Sequence, residues 1–76
     1  MTPAGLINEV TATPKGDLVC LGDDHGWVYS LSVSSLQLVR QVQPKGSVLN
    51  ALAVTPDGQR IIAGYASEFI SVLDTH

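Results

Sequence analysis

The chain has a single cysteine, Cys20, so no internal disulfide can brace its 76 residues. That thiol and two scattered histidines, His25 and His76, do not make a structural zinc site. Basic residues are equally scarce. Lys15, Arg40, Lys45 and Arg60 are spread along a chain of net charge −3, which excludes the basic stripe that a nucleic-acid backbone requires. No apolar run approaches the roughly 18–20 residues that span a bilayer. Met1-Thr2-Pro3-Ala4-Gly5 has neither a charged n-region nor an apolar h-region, so no signal peptide is expected. A lone cysteine inside an apolar stretch fits a reducing compartment, and the expected location is cytoplasmic.

What the chain does have is apolar surface. Hydrophobic residues make up 45% and charged residues only 14%, which excludes a disordered tail. A domain this small buries only about 60–65% of its unfolded surface, and none of the usual staples is present. The chain is rich in core residues and poor in means to finish a core.

Internal similarity organises the sequence. Thr13-Pro14-Lys15-Gly16 recurs as Thr55-Pro56-Asp57-Gly58, an offset of 42 residues that carries along without a gap. Asn8 falls on Asn50, Val10 on Leu52, Val19 on Ile61, Gly22 on Gly64, Trp27 on Phe69 and Leu31 on Leu73. Each copy reads as short strands. Leu6–Thr13 and Val48–Thr55 are halted by Pro-x-Gly turns, in which proline presets φ and glycine accepts a positive φ. Leu18–Leu21 and Arg60–Ala63 follow, each stopped by a glycine. Trp27–Ser32 and Phe69–Asp74 then alternate in character. A further run, Leu36–Val42, follows the first copy only. It reads as a helix through Leu36, Val39 and Val42 behind a serine cap, or as a strand through Leu36, Leu38, Arg40 and Val42; the strand fits its neighbours better. Turns every 8–12 residues within a 42-residue period predict an all-β chain of antiparallel four-stranded units.

The run Leu49-Asn50-Ala51-Leu52-Ala53-Val54-Thr55-Pro56-Asp57-Gly58, followed by Ile61-Ile62-Ala63-Gly64 and Ile70-Ser71-Val72-Leu73-Asp74, resembles a blade of the WD-repeat β-propellers. The resemblance covers nearly the whole chain, taken as residues 1–76 of a propeller fragment. It implies one complete blade, strands a to d, over 6–47, and strands a to c of a second over 48–76. It also departs from the family. Pro44-Lys45 holds the place of the usual Gly-His, His25 and Ser67 that of the turn aspartate, and Leu31 and Leu73 that of the tryptophan; only Asp74 of the closing pair remains. Both faces of a blade are apolar and need neighbours. The expectation is therefore a piece of a larger propeller, or one that assembles with copies of itself, since Asp74-Thr75-His76 stops midway through the usual turn from strand c to strand d. A self-contained small β-barrel or sandwich is the competing architecture.

Asp23-Asp24-His25 is the only cluster of polar functional groups. Adjacent residues on a tight turn rarely converge on a metal, and no nucleophile stands at a recognised spacing from His25, so a hairpin turn is expected with no catalytic, metal or cofactor role. Cys20 reads as a small buried apolar residue, and Trp27 and Phe69 as matched packing positions. The glycine-rich pattern of a phosphate loop is absent. The WD-repeat resemblance implies a non-enzymatic scaffold that binds other proteins through the rim where d–a and b–c loops meet. Mapped here, that rim is Asp23, Asp24, His25, Lys45, Tyr65, Ser67 and Glu68, an acidic, hydroxyl-bearing surface suited to a basic or polar peptide. The stretch Ala63–Thr75 is similar to the C-terminal propellers of BEACH-type WD-repeat proteins, which implies endosomal or autophagic membrane traffic and a peripheral place on endosomal membranes. The enzyme alternative, a propeller with a central-channel metal, would draw at most His25 and an aspartate from this chain. A phosphoinositide-binding propeller would need paired arginines, which Arg40 and Arg60 are not.

Overall fold

A computed structural model describes residues 3–76. The part of the 1–76 span and of the Met1–Gly5 reading that falls on Met1 and Thr2 lies outside the described residues. Seven strands run in chain order: β1 (Ile7–Ala12), β2 (Leu18–Asp23), β3 (Val28–Ser32), β4 (Leu38–Val42), β5 (Leu49–Val54), β6 (Arg60–Tyr65) and β7 (Ile70–Asp74). They form two antiparallel meanders, β1-β2-β3-β4 and β5-β6-β7. Leu36–Val42 resolves into a strand, β4, preceded by a turn that holds Leu36 at φ 59°.

The turns between first and second strands are built alike. In one, the Thr13 hydroxyl donates to Asp17 Oδ1 at 2.6 Å and accepts from the Leu18 N–H; in the other, Thr55 donates to Asp57 Oδ1 at 2.6 Å and accepts from the Arg60 N–H. Gly16 and Gly58 share φ 73°. The duplicated tetrapeptide thus encodes one duplicated turn.

Two strands run farther than the sequence predicts. Gly22 and Gly64 do not stop β2 and β6; each strand continues one residue beyond its glycine, to Asp23 and Tyr65. At Gly22 the reason is packing, since a Cβ there would lie 2.6 Å from the Leu49 side chain. The glycine admits Leu49 from the second sheet and remains part of the ladder, opposite Glu9 and Val28.

The core lies between the two sheets. Cys20 and Val28 from the first meet Leu49, Ile61, Ala63 and Tyr65 from the second, with Leu52, Val54, Phe69 and Leu73 at the margin. Cys20 is fully buried, and burial pushes its thiol above the ordinary range. The outer faces are not polar. Strand register places Val10, Val19, Leu21 and Leu31 on one, and Ala53, Ile62, Ile70 and Val72 on the other. A sandwich would have hidden these residues, so the self-contained alternative does not describe this molecule. Among the described residues, no helix is long and apolar enough to cross a membrane.

Leu49 is the residue through which the second sheet enters the first. Leu49→Ala is expected to cost about 2–4 kcal/mol, by loss of buried methyl groups and the cavity left over Gly22. Urea denaturation followed by tryptophan fluorescence checks this; a loss below about 1 kcal/mol would mean that the two sheets do not fold as one unit.

Candidate functional site

Two β-turns and one connection converge at one end of the sheets: the β2–β3 turn, the β6–β7 turn and the segment between β4 and β5. They are tied together. The Gln43 side-chain amide donates to the His25 carbonyl at 2.9 Å, the Ser47 and Ser67 hydroxyls lie 3.1 Å apart, and the Tyr65 hydroxyl donates to the Gly26 carbonyl at 2.8 Å. Tyr65 stacks edge-on to Phe69 with ring centroids 5.7 Å apart, and the Lys45 ammonium stands 5.6 Å from the centroid of the same Phe69 ring. Gly26, at φ 91°, lies so close to the Lys45 carbonyl that no side chain could be accommodated.

Of the seven rim residues expected from sequence, two are not on the surface. Asp23 and Tyr65 are buried, because they end β2 and β6 rather than sit at turn tips: Tyr65 enters the core between the sheets, and Asp23 is covered by Tyr29 and the N-terminal segment. The Tyr65 hydroxyl is therefore not among those the rim exposes. Asp24 is half-buried, while His25, Lys45, Ser67 and Glu68 are exposed. His25 Nε2 lies 3.5 Å from Asp24 Oδ1, an open pair at the surface.

Asp23 is instead the organiser of this end. Its Oδ1 accepts from the His25 and Trp27 N–H groups at 3.0 and 2.9 Å, which shapes its own turn. Its Oδ2 accepts from the Tyr29 hydroxyl at 2.8 Å and from the Gly5 N–H at 3.2 Å. The N-terminal segment is bound along this edge, with the Ala4 N–H donating to the Tyr29 oxygen and the Leu6 N–H to Asp24 Oδ1. Burial alone would raise the Asp23 carboxyl; the hydrogen bonds from Tyr29, Trp27, His25 and Gly5 outweigh it and hold the carboxyl below the usual aspartate range. Tyr29 is pushed up by its burial, with the adjacent Asp23 charge adding to the effect. Burial and then the Asp23 charge likewise raise Tyr65. Both phenols therefore serve as neutral donors.

The Asp23–Tyr29 pair was missed in the sequence because neither partner repeats: the 42-residue offset puts Tyr65 opposite Asp23 and Ser71 opposite Tyr29. That mismatch was the available signal. Among the described residues, no three His, Cys, Asp or Glu side chains converge as metal ligands. At the opposite end, a cleft of ≈ 230 Å³ lies between the two Pro-x-Gly turns, with Lys15, Asp17, Asp57 and His76 on its walls.

No known family model matches the sequence. Solved structures do match the fold. The β-propeller domain of Myceliophteria thermophila Cps50 (Swd1) superposes with a TM-score of 0.88 at 16% identity, over 97% of this chain and 24% of that one. Hsv2 of Kluyveromyces lactis superposes at 0.85 with 17% identity, again over 97% and 24%. The two sheets are β-propeller blades. The chain spans about a quarter of the length of the propellers it matches.

Asp23→Asn keeps the shape but turns an amide N–H₂ toward groups that are themselves donors. It is expected to cost about 1–3 kcal/mol near neutral pH. A lowered native pKa contributes stability above the ordinary value of 3.8, which is lost as pH falls through the native value. The variant should therefore lose less stability than the parent between neutral pH and about pH 3. Urea midpoints across that range check both; equal acid sensitivity would remove Asp23 from the account.

Proposed function

We propose that the chain is part of a WD-type β-propeller that works as a non-enzymatic platform for protein–protein interaction, with residues 6–47 forming one blade and 48–76 part of the next. The partner sits on the rim carrying Asp24, His25, Lys45, Ser67 and Glu68. The observation that carries this reading is the construction of that end. Buried Asp23 shapes the β2–β3 turn, buried Tyr65 ties that turn to the second sheet, and Gln43 and Ser47 bind the β4–β5 connection to both turns, leaving charged and hydroxyl side chains exposed on a rigid support. Preorganised polar groups lose little freedom on binding, so each contact contributes more of its energy. The fold neighbours are propellers, and the reading extends from their architecture to a scaffold role in the cytoplasm. A place in endosomal or autophagic membrane traffic is proposed on the Ala63–Thr75 resemblance alone.

The chemistry of the rim selects the partner class. Two carboxylates, Asp24 and Glu68, flank the hydroxyls, and the overall charge is −3. A segment rich in Lys or Arg is the complementary ligand. Lys45 stands over Phe69, where its positive charge offsets part of that field.

Charge reversal at both rim acids, half-buried Asp24→Lys with exposed Glu68→Lys, is expected to weaken binding of an arginine-rich peptide at least about tenfold at low salt. The unmodified rim should itself lose affinity as salt rises. Titration calorimetry against a peptide array measures this, and unchanged affinity in the double variant would discard the rim. Asp23 is not a target for such a test, because its replacement would unbuild the turn.

A further inference from the structure

Lys45 is the only lysine or arginine on the acidic rim, yet it takes an aromatic ring rather than an acid as its partner. Asp24 lies against His25 at 3.5 Å, and the Lys45 ammonium stands over Phe69 instead. The other three basic residues belong to the opposite end: Lys15 to the turn cleft, Arg60 to Asp74, and Arg40 to the Asp74 and His76 carbonyls. The backbone that carries Lys45 is fixed from both sides. Gln43, two residues before, donates to the His25 carbonyl, and Ser47, two residues after, lies 3.1 Å from the Ser67 hydroxyl. The root of the side chain is thus built into the frame, while its charged end rests on the ring.

The ring is held more firmly than the cation. Phe69 is half-buried at the margin of the core between the sheets, edge-on to Tyr65, whose hydroxyl is anchored on the Gly26 carbonyl at 2.8 Å. This seat therefore lies at the joint of the two sheets and does not depend on what stands beyond either flank. The ammonium, 5.6 Å from the ring centroid, is close to the roughly 6 Å limit of such contacts, and at an exposed site the attraction is weak. The repeat shows that the blade does not require it: the 42-residue offset sets Trp27 opposite Phe69 but Pro3 opposite Lys45. An aromatic stands in both copies, a cation over it in one. A guanidinium is planar and less strongly hydrated than an ammonium and stacks flat on aromatic faces, so it suits the ring better than lysine does.

We infer that the Phe69 ring is a cation seat of the rim, that an arginine of the partner takes it, and that Lys45 fills it in the free molecule as a placeholder displaced on binding. The inference rests on the rim being the recognition surface. It adds a preference for arginine over lysine, which complementary charge alone does not give, because both side chains carry one positive charge. Glu68, next to Phe69 in the chain and exposed, supplies the carboxylate beside the seat.

Titration calorimetry on the full-length protein tests this with two peptides of equal charge, one built on arginine and one on lysine. The parent is expected to bind the arginine peptide about threefold or more tighter. Phe69→Leu keeps the apolar packing and loses the aromatic face; it should abolish that preference and leave binding of the lysine peptide in place. Lys45→Met keeps the stem and removes the ammonium, and should tighten the arginine peptide about two- to fivefold. That gain should persist at high salt, where the long-range effect of a lost charge is screened, and should disappear when Phe69→Leu is added. If Phe69→Leu does not fold, Phe69→Trp, the residue of the first copy, takes its place and should widen the preference for arginine. Equal affinity for the two peptides, a preference that survives loss of the ring or fails to grow with tryptophan, or a Lys45→Met gain that vanishes with salt would each overturn the inference while leaving the rim intact. A parent that binds neither peptide removes the rim, and the seat with it.

Discussion

A sheet apolar on both faces has to be covered twice, and every larger feature of this chain follows from that requirement. Side chains alternate along a strand, so one buried face normally leaves a polar one. Here the alternation is apolar against apolar: Val10, Val19 and Leu21 on one side of the first sheet, Leu18, Cys20 and Val28 on the other. The second sheet satisfies only the latter. Stacking more sheets of the same kind is the arrangement that hides such faces without changing their sequence, and it is the arrangement of the propellers that the fold matches.

The same requirement explains why duplication was so legible. A repeated unit must present the same two faces in the same order, so apolar positions keep their phase over 42 residues while other positions drift. Three strands per copy and the turn chemistry could be read from Val19 against Ile61, Leu31 against Leu73 and the two Pro-x-Gly turns, whereas the fourth strand of the first sheet rested on Leu36–Val42, a run that the residues alone left open between helix and strand. The rim was less legible because it is built from positions where the copies differ. Gly22 looked like a strand terminator and is instead a packing notch, a distinction that depends on Leu49 lying opposite it in space. Mistaking the notch for a stop moved Asp23 and Tyr65 from strand ends to turn tips, and so from the interior to the surface.

Asp23 and Tyr65 show how equivalent positions can solve different problems. Asp23, an acceptor, gathers N–H groups from its own turn and from the N-terminal segment. Tyr65, a donor, reaches across to the Gly26 carbonyl of the neighbouring sheet. One residue closes a blade on itself and the other binds a blade to its neighbour. Exchanging them would set a hydroxyl donor against N–H groups in one place and a carboxylate against a carbonyl in the other, so the divergence follows hydrogen-bond polarity.

Glu68 carries the same logic outward. It sits at φ 63°, where the first copy has Gly26 at φ 91°. The left-handed region costs a side-chain-bearing residue about 1–2 kcal/mol, so the backbone of this turn asks for glycine in both copies. At Gly26 that demand is reinforced by the Lys45 carbonyl, which leaves no room for a Cβ. Glu68 is exposed, and among the described residues its carboxylate forms neither a hydrogen bond nor an ion pair. The side chain therefore contributes no contact that would offset the strain of its turn within the blade. An exposed charge held in an unfavourable backbone conformation on a rigid support is the feature that favours the proposed acidic rim over the turn cleft at the opposite end as a recognition surface.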